Sequence, residues 1–321
     1  MRILVTRPIP EVGVNVLRQV GHEVIVSPRD RAMPAAELLA ATVGIDGLLS
    51  MLTDRIDAAF LDARPNVRAV SNFAVGYNNI DVPACTARKI GVANTPDVLT
   101  DATAESAWML LMMAARRAGE AERVLRAKRW DGWGPLQFLG IGIVGKTLGI
   151  IGAGRIGSRF ARMASGFGMR LLYHNRRASA EMEAMGARLV LLDDLLRESD
   201  FVSIHVPLVP ETRHFISRRE LALMKPTAVL VNTARGPVVD EAALVEALRE
   251  KCIFAAGLDV YEREPVVEEG LFALENVVLL PHIGSATVGT REAMAELSAR
   301  NLVAMLSGRS PASPVNPEIW S

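Results

Sequence analysis

Six residues midway along the chain, Gly152-Ala153-Gly154-Arg155-Ile156-Gly157, follow the apolar run Thr147 to Ile151 and open a stretch, Ser158 to Phe167, whose pattern predicts a helix. In that setting each glycine has its own job. Gly152 permits a tight strand-to-helix turn, Gly154 lets backbone approach a pyrophosphate, and Gly157 lets the helix lie close on the strand. The first N–H groups of the helix then face an anion. The turn points to a dinucleotide, NAD or NADP.

An NAD-specific site carries an acid about twenty positions further on, which accepts hydrogen bonds from the adenosine ribose. Here the second strand, Arg170 to His174, ends in Asn175-Arg176-Arg177, and no Asp or Glu stands between Gly157 and Glu181. Two guanidinium groups occupy the place where a carboxylate would repel a 2′-phosphate. The expected preference is therefore NADP over NAD.

Three ionisable residues follow later strands of the same unit, and open α/β sheets place ligands beyond the carboxyl ends of their strands. Arg235 follows Ala228 to Asn232, Glu264 follows Gly257 to Tyr261, and His282 follows Val277 to Leu280. Their chemistry suits reduction of a 2-oxo acid. Hydride addition to a carbonyl carbon leaves a developing alkoxide, which an imidazolium at His282 can protonate. A carboxylate at Glu264 favours the charged ring, and the rigid fork of Arg235 can grip the substrate carboxylate and polarise the carbonyl. The remaining histidines, His22, His174, His205 and His214, lack such company, although His205 ends a strand and can line the cofactor cleft.

These residues need two α/β units to position them. Strands are predicted at Arg2 to Arg7, His22 to Ser27, Gly47 to Leu52, Arg68 to Phe73 and Gly91 to Asn94, with helices at Glu11 to Val20, Ala35 to Val43, Ile56 to Ala63 and Val82 to Lys89. A second set of strands follows the glycines, near Thr147 to Ile151, Arg170 to His174, Phe201 to Val206, Thr227 to Asn232, Phe254 to Val260 and Val277 to Leu280. Alternation of this kind is the mark of doubly wound parallel sheets. The proline-free, Ala- and Met-rich segment Asp101 to Arg129 is expected to be one long linking helix, with Met109, Met112 and Met113 packed in a core. A last helix, Arg291 to Leu306, precedes a Ser/Pro-rich tail, Ser307 to Pro317.

Length and composition agree with this picture. The 321 residues suit two domains, and 36 Lys+Arg against 36 Asp+Glu leave no basic field for nucleic acid or a membrane surface. The longest apolar stretch, Ala107 to Ala115, is too short to span a bilayer, and the N-terminus reads as a first strand rather than a signal peptide. Cys85 and Cys252 have no metal-type spacing, so no metal is expected; they suit buried thiols in a reducing cytoplasm.

Along almost its whole length the chain resembles the D-isomer-specific 2-hydroxyacid dehydrogenases. Besides the motifs above, the match includes Asn72-Phe73-Ala74-Val75-Gly76-Tyr77-Asn78-Asn79-Ile80-Asp81 and the run from Asn94 to Glu105. Phe138-Leu139-Gly140 and Tyr173-His174-Asn175-Arg176 are most similar to the glyoxylate and hydroxypyruvate reductases of that family. The resemblance implies a Rossmann-type nucleotide-binding domain, residues 99–287, inserted into a flavodoxin-like substrate domain made of residues 1–98 and 288–321. It implies a cleft that closes over the substrate, with backbone N–H groups of Val75 and Gly76 on the substrate carboxylate and with Leu52 and Ser285 also at the substrate. It adds Val206, Pro207, Thr212, Thr233, Ala234, Asp259 and Gly284 to the cofactor site. It further implies a homodimer in which Trp133, in Trp130-Asp131-Gly132-Trp133, reaches the neighbour's site. Nothing follows Ser321, so the regulatory domain of many phosphoglycerate dehydrogenases is not expected. Two alternatives share most of these motifs: a 2-ketogluconate-type reductase, and a nucleotide-sensing interaction protein like the corepressors built on this scaffold.

Overall fold

The computed structural model describes residues 1–320. The chain divides into two compact units, Met1–Leu99 with Ser285–Ser321, and Thr100–Gly284.

The first unit is built on five strands: β1 (Arg2–Val5), β2 (Glu23–Val26), β3 (Gly47–Ser50), β4 (Ala69–Asn72) and β5 (Gly91–Ala93). All pair in parallel, in the order β2-β1-β3-β4-β5. That is the flavodoxin-like arrangement. The strands β3 and β4 and the edge strand β5 are buried at every residue, which is why they read in sequence as runs of mostly small and apolar residues. Asp57 and Asp81 start the helices Ala58–Ala63 and Val82–Ala87 by accepting from the N–H groups of Phe60 and Ala84, each at 3.0 Å. The helix Val288–Leu306 returns to this unit and lies against Glu11–Gln19, with Gly13 so close that a Cβ there would fall 2.6 Å from the Ala295 carbonyl oxygen. The Ser/Pro-rich tail is tied to β5: Asn316 accepts from Val92 N–H at 2.8 Å and donates to the Ile90 carbonyl at 2.9 Å.

The second unit carries seven strands: β6 (Thr147–Ile151), β7 (Arg170–His174), β8 (Arg188–Leu189), β9 (Phe201–Ile204), β10 (Val229–Asn232), β11 (Ala255–Leu258) and β12 (Val277–Leu279). They are parallel, in the order β12-β11-β10-β9-β6-β7-β8. The strand order reverses between β9 and β6, the switch point where a Rossmann sheet receives its nucleotide.

Three expectations need correction. The predicted long helix is two, Thr100–Ala115 and Ala118–Arg126, separated by Arg117 in the left-handed region at φ 53°. The break has a tertiary cause. Ile141 donates its N–H to the Ala115 carbonyl at 2.8 Å, taking an acceptor that a continuing helix would need, and Gly140 crosses so near that a Cβ would meet that oxygen at 2.3 Å. Met109 and Met112 are not core residues: they are 39% and 43% exposed, because the buried face of their helix is formed by Ala104, Ala107, Trp108, Leu111 and Ala115. Cys85 is buried as expected, but Cys252 is only partly so.

Among the described residues no helix is long and apolar enough to cross a membrane, and no group of His, Cys, Asp and Glu is arranged to hold a metal ion.

Candidate active site

The glycine turn joins β6 to the helix Arg155–Met163. Gly152 stands at φ 97°, and a Cβ there would lie 2.8 Å from the His205 backbone. Gly157 is pressed closer still, its Cβ position 2.0 Å from the Gly152 oxygen. Gly154 differs from both: nothing lies within 4 Å of its Cβ position, and it caps the helix without any side-chain hydrogen bond. The middle glycine therefore borders open space at an uncapped helix N-terminus, a place fitted to a pyrophosphate. Beyond β9, Val206 and Pro207 lead to Thr212, whose hydroxyl donates to the Pro207 carbonyl at 2.7 Å. Past β10, the buried Thr233 hydroxyl has no hydrogen-bond partner within the protein. Asn175 donates to the Arg177 carbonyl at 2.9 Å and thereby shapes the loop after β7, leaving Arg176 and Arg177 exposed. These residues fit a nicotinamide dinucleotide.

Arg235 hangs from the end of β10 in a turn organised by Asn232, itself 1% exposed. The Asn232 amide donates to the Arg235 carbonyl, and its oxygen accepts from Ala234 N–H, both at 3.0 Å. The Arg235 guanidinium donates to the Ala234 carbonyl at 2.7 Å. Burial lowers its pKa, opposed by the charge of Glu264 nearby.

Glu264 and His282 meet. Glu264 Oε2 lies 2.8 Å from His282 Nδ1, and Glu264 Oε1 accepts from Tyr261 N–H at 3.0 Å. Burial pushes the Glu264 carboxyl up, but the hydrogen bond and charge of His282, the Tyr261 N–H and the Arg235 charge together bring it below the usual range. It is a carboxylate. With Nδ1 facing Glu264, Nε2 is the nitrogen left for a reacting group.

His282 itself has φ 55°, in the left-handed region. The next two peptides show what holds it there: Asp259, at the end of β11 and 1% exposed, accepts from the N–H groups of Ile283 and Gly284, each at 2.7 Å. Burial raises the Asp259 pKa, and the two N–H donors and the His282 charge oppose it. Tyr261 adds a second tie, its hydroxyl donating to the Leu280 carbonyl at 2.8 Å. Sequence reasoning gave no role to Asn232 or Tyr261. The only available signal was position, one at a strand end and the other just past it.

His205 is a different kind of histidine. Burial lowers its pKa to about 3, and its Nε2 lies 2.9 Å from Ser203 Oγ, so it is neutral and already engaged. In the first unit, Asn94 and Asn72 donate to the carbonyls of Val75 and Gly76 at 2.7 and 2.9 Å, which fixes those peptides. Leu52 lies in a turn closed by Asp54, whose carboxylate accepts from Met51 N–H at 2.8 Å and from the Thr6 hydroxyl at 2.5 Å. Ser285 opens the return of the chain to that unit. Trp133 is 83% exposed, in a segment that also exposes Trp130, Leu136 and Leu139.

Comparison with known proteins gives this geometry its setting. The family model described as "D-isomer specific 2-hydroxyacid dehydrogenase, NAD binding domain" matches residues 108–284. A glyoxylate reductase of Thermococcus kodakarensis is 53% identical over 99% of this chain and 97% of its own. The crystal structure of a Thermus thermophilus protein, TT0316, superposes with a TM-score of 0.92 at 44% identity, covering 98% of this chain and 100% of that one. An NADPH-dependent glyoxylate/hydroxypyruvate reductase of Sinorhizobium meliloti, solved with NADP and malonate, gives a TM-score of 0.86 at 37% identity over 98% of this chain and 96% of its own. Matched over its nucleotide-binding unit by the family model and over nearly its full length by these relatives, the chain belongs to the D-isomer-specific 2-hydroxyacid dehydrogenase family and is an NAD(P)-dependent dehydrogenase.

Proposed function

We propose that the protein is an NADPH-preferring reductase of small 2-oxo acids such as glyoxylate and hydroxypyruvate. The observation that carries the reading is the His282–Glu264 pair, 2.8 Å apart, at the same carboxyl edge of one sheet as Arg235. When bound, the reduced nicotinamide supplies a hydride. Arg235 holds the substrate carboxylate in its fork, and His282 Nε2–H gives its proton to the carbonyl oxygen as the carbonyl carbon is reduced, leaving a hydroxyl. Glu264 holds Nδ1 and favours the imidazolium that must be present at the start. The names of the Thermococcus and Sinorhizobium relatives support the substrate class.

Gly152, Gly154, Arg155, Ile156 and Gly157 are assigned to the pyrophosphate, and Val206, Pro207, Thr212, Thr233, Ala234, Asp259 and Gly284 to the rest of the cofactor. Asn175, Arg176 and Arg177 are assigned to the 2′-phosphate. Replacing Arg176 and Arg177 together by alanine is expected to weaken NADPH by about 1–3 kcal/mol while changing NADH little, because only the phosphate gains charge-assisted hydrogen bonds from them. Steady-state kinetics with both cofactors check this. A wild type that uses NADH as efficiently as NADPH overturns the preference. A screen of NADPH oxidation over a panel of 2-oxo acids tests the substrate class, and turnover of none of them sinks the reading.

The exposed apolar run Leu125, Trp130, Trp133, Leu136 and Leu139 supports a homodimer in which this surface is covered. Sedimentation should give twice the chain mass, and Trp133→Asp should shift the protein toward monomer. A wild type that sediments as a monomer removes the assignment. The unpaired thiols Cys85 and Cys252 support a cytoplasmic location, which cell fractionation tests.

A further inference from the structure

Behind Arg235 and Glu264 lies a second group of ionisable side chains that the chemistry above leaves unused. Glu241 opens the helix Glu241–Arg249 and is 4% exposed. It and Glu262 clasp each other: Glu262 N–H donates to Glu241 Oε1 at 2.6 Å, and Glu241 N–H donates to Glu262 Oε1 at 3.0 Å. The Glu268 backbone also lies near enough to the Glu241 carboxylate to lower its pKa. One buried carboxylate therefore holds the loop at residue 262, two positions before Glu264.

His214 completes the group. Its Nε2 lies 3.0 Å from Glu262 Oε1, and its N–H donates to the Pro237 carbonyl at 2.7 Å, two residues beyond Arg235. The turn and the loop also touch directly: a Cβ on Gly236 would fall 1.8 Å from the Tyr261 carbonyl carbon. The Tyr261–Glu262 backbone therefore cannot shift toward the Arg235 turn without displacing it. Tyr261 N–H is in turn the donor that orients Glu264 Oε1.

A buried acid this close to a second carboxylate is expensive unless its hydrogen bonds are complete. Burial raises the Glu241 pKa, the N–H groups of Glu262 and Glu268 oppose that, and the charges of Glu262 and Glu268 add to it. His214 faces Glu262, and Arg263 faces Glu268 at 3.0 Å. What the carboxylate gains in exchange is control of the Glu262 N–H, two positions before Glu264.

We propose that Glu241, with Glu262 and His214, is a positioning unit for the reaction: without touching substrate, it sets where Glu264 and Arg235 stand, and through Glu264 it sets the proton on His282. The proposal rests on the roles given above to His282, Glu264 and Arg235. Loss of the Glu241 carboxylate frees the loop at Glu262, next to the Tyr261 N–H that orients Glu264, so Glu264 spends less time at Nδ1. The imidazolium then loses, for part of the time, the carboxylate that faces it at 2.8 Å, and the variant should release that proton at lower pH.

The test uses the full chain carrying Glu241→Ala, Glu241→Gln or His214→Gln, with three readouts. The His282 ring protons are followed by NMR against pH in the protein alone, with His282→Asn identifying the signal. Glyoxylate kinetics are taken across pH, and NADPH binding is measured by fluorescence. Glu241→Ala should lower kcat/KM by about ten- to a hundred-fold, the range expected for a small misplacement of reacting groups. Its His282 titration and the alkaline limb of its activity should both move to lower pH. Glu241→Gln keeps one acceptor oxygen and should recover part of each, and NADPH binding should stay near wild type throughout. If Glu241→Ala merely melts earlier, with the His282 titration and pH profile unchanged, the unit is structural only and the proposal falls. If Glu241→Ala does not fold, His214→Gln decides: an unmoved titration overturns the proposal and a moved one supports it. A wild type inactive on every 2-oxo acid sinks the proposed function instead, while the NMR titration still judges the positioning unit.

Discussion

Replacing His282 by alanine is expected to lower kcat on glyoxylate by roughly a hundred-fold or more and to leave NADPH affinity nearly unchanged. No other histidine can take its place. His205 stays neutral, with a pKa of about 3, and its Nε2 is engaged by Ser203. His214 Nε2 lies 3.0 Å from Glu262 Oε1, His174 Nδ1 sits 3.1 Å from the Val190 carbonyl, and His22 belongs to the other unit. A companion variant separates the proton's presence from its poise. In Glu264→Gln the imidazolium loses a carboxylate at 2.8 Å, so reduction should fade at lower pH than in the wild type while its low-pH rate is kept. Rate-against-pH curves for the two variants supply the check. A His282→Ala enzyme within a few-fold of wild type would remove His282 as the acid, and an unmoved alkaline limb in Glu264→Gln would remove Glu264 from its role.

Arg235→Lys should be nearly as damaging, although it preserves charge. The fork of Arg235 is pre-set by the Asn232 turn and by its own bond to the Ala234 carbonyl, so the donors are fixed before a carboxylate arrives. An ammonium offers a point charge on a flexible stem and no second parallel donor. Losing one charge-assisted hydrogen bond costs about 1.5–3 kcal/mol, roughly a ten- to hundred-fold fall in kcat/KM. The same clamp predicts that an uncharged aldehyde of glyoxylate's size is a poor substrate for the wild type and loses little further in Arg235→Lys. Equal turnover of the two by the wild type would show that this site provides no carboxylate clamp.

The parts legible in the sequence were those where one local rule decides the outcome. The strands β6 and β7 ran from the first to the last residue expected, because parallel strands with apolar interiors leave little ambiguity. The glycine turn was legible for the same reason: Gly152 needs a left-handed φ and Gly157 an absent Cβ. Arg235, Glu264 and His282 could be picked out because each stands just past a strand end. What failed depended on distant residues. The helix break at Arg117 is imposed by Gly140 and Ile141, more than twenty positions away, and local propensity along Asp101 to Arg129 gives no sign of it. Met109 and Met112 misled because an apolar helix looks buried all round until the packed face is known. The clasp between Glu241 and Glu262 was invisible, since glutamates near loops normally read as solvated charge. The short edge strand β8, Arg188–Leu189, has too few residues to show a period.

His282, proposed as the acid, its partner Glu264 and Arg235 all follow the ends of β10, β11 and β12, inside the unit Thr100–Gly284. Leu52, Val75 and Gly76, assigned above to the substrate by resemblance, come from turns of the other unit, braced by Asp54, Asn72 and Asn94. On the proposed roles, the proton chemistry and the carboxylate clamp are encoded in one unit, and the contacts assigned to Leu52, Val75 and Gly76 in the other. Substitutions in the turns near residues 52 and 75 are therefore expected to change which 2-oxo acid is reduced while the pH profile assigned to His282 and Glu264 stays in place.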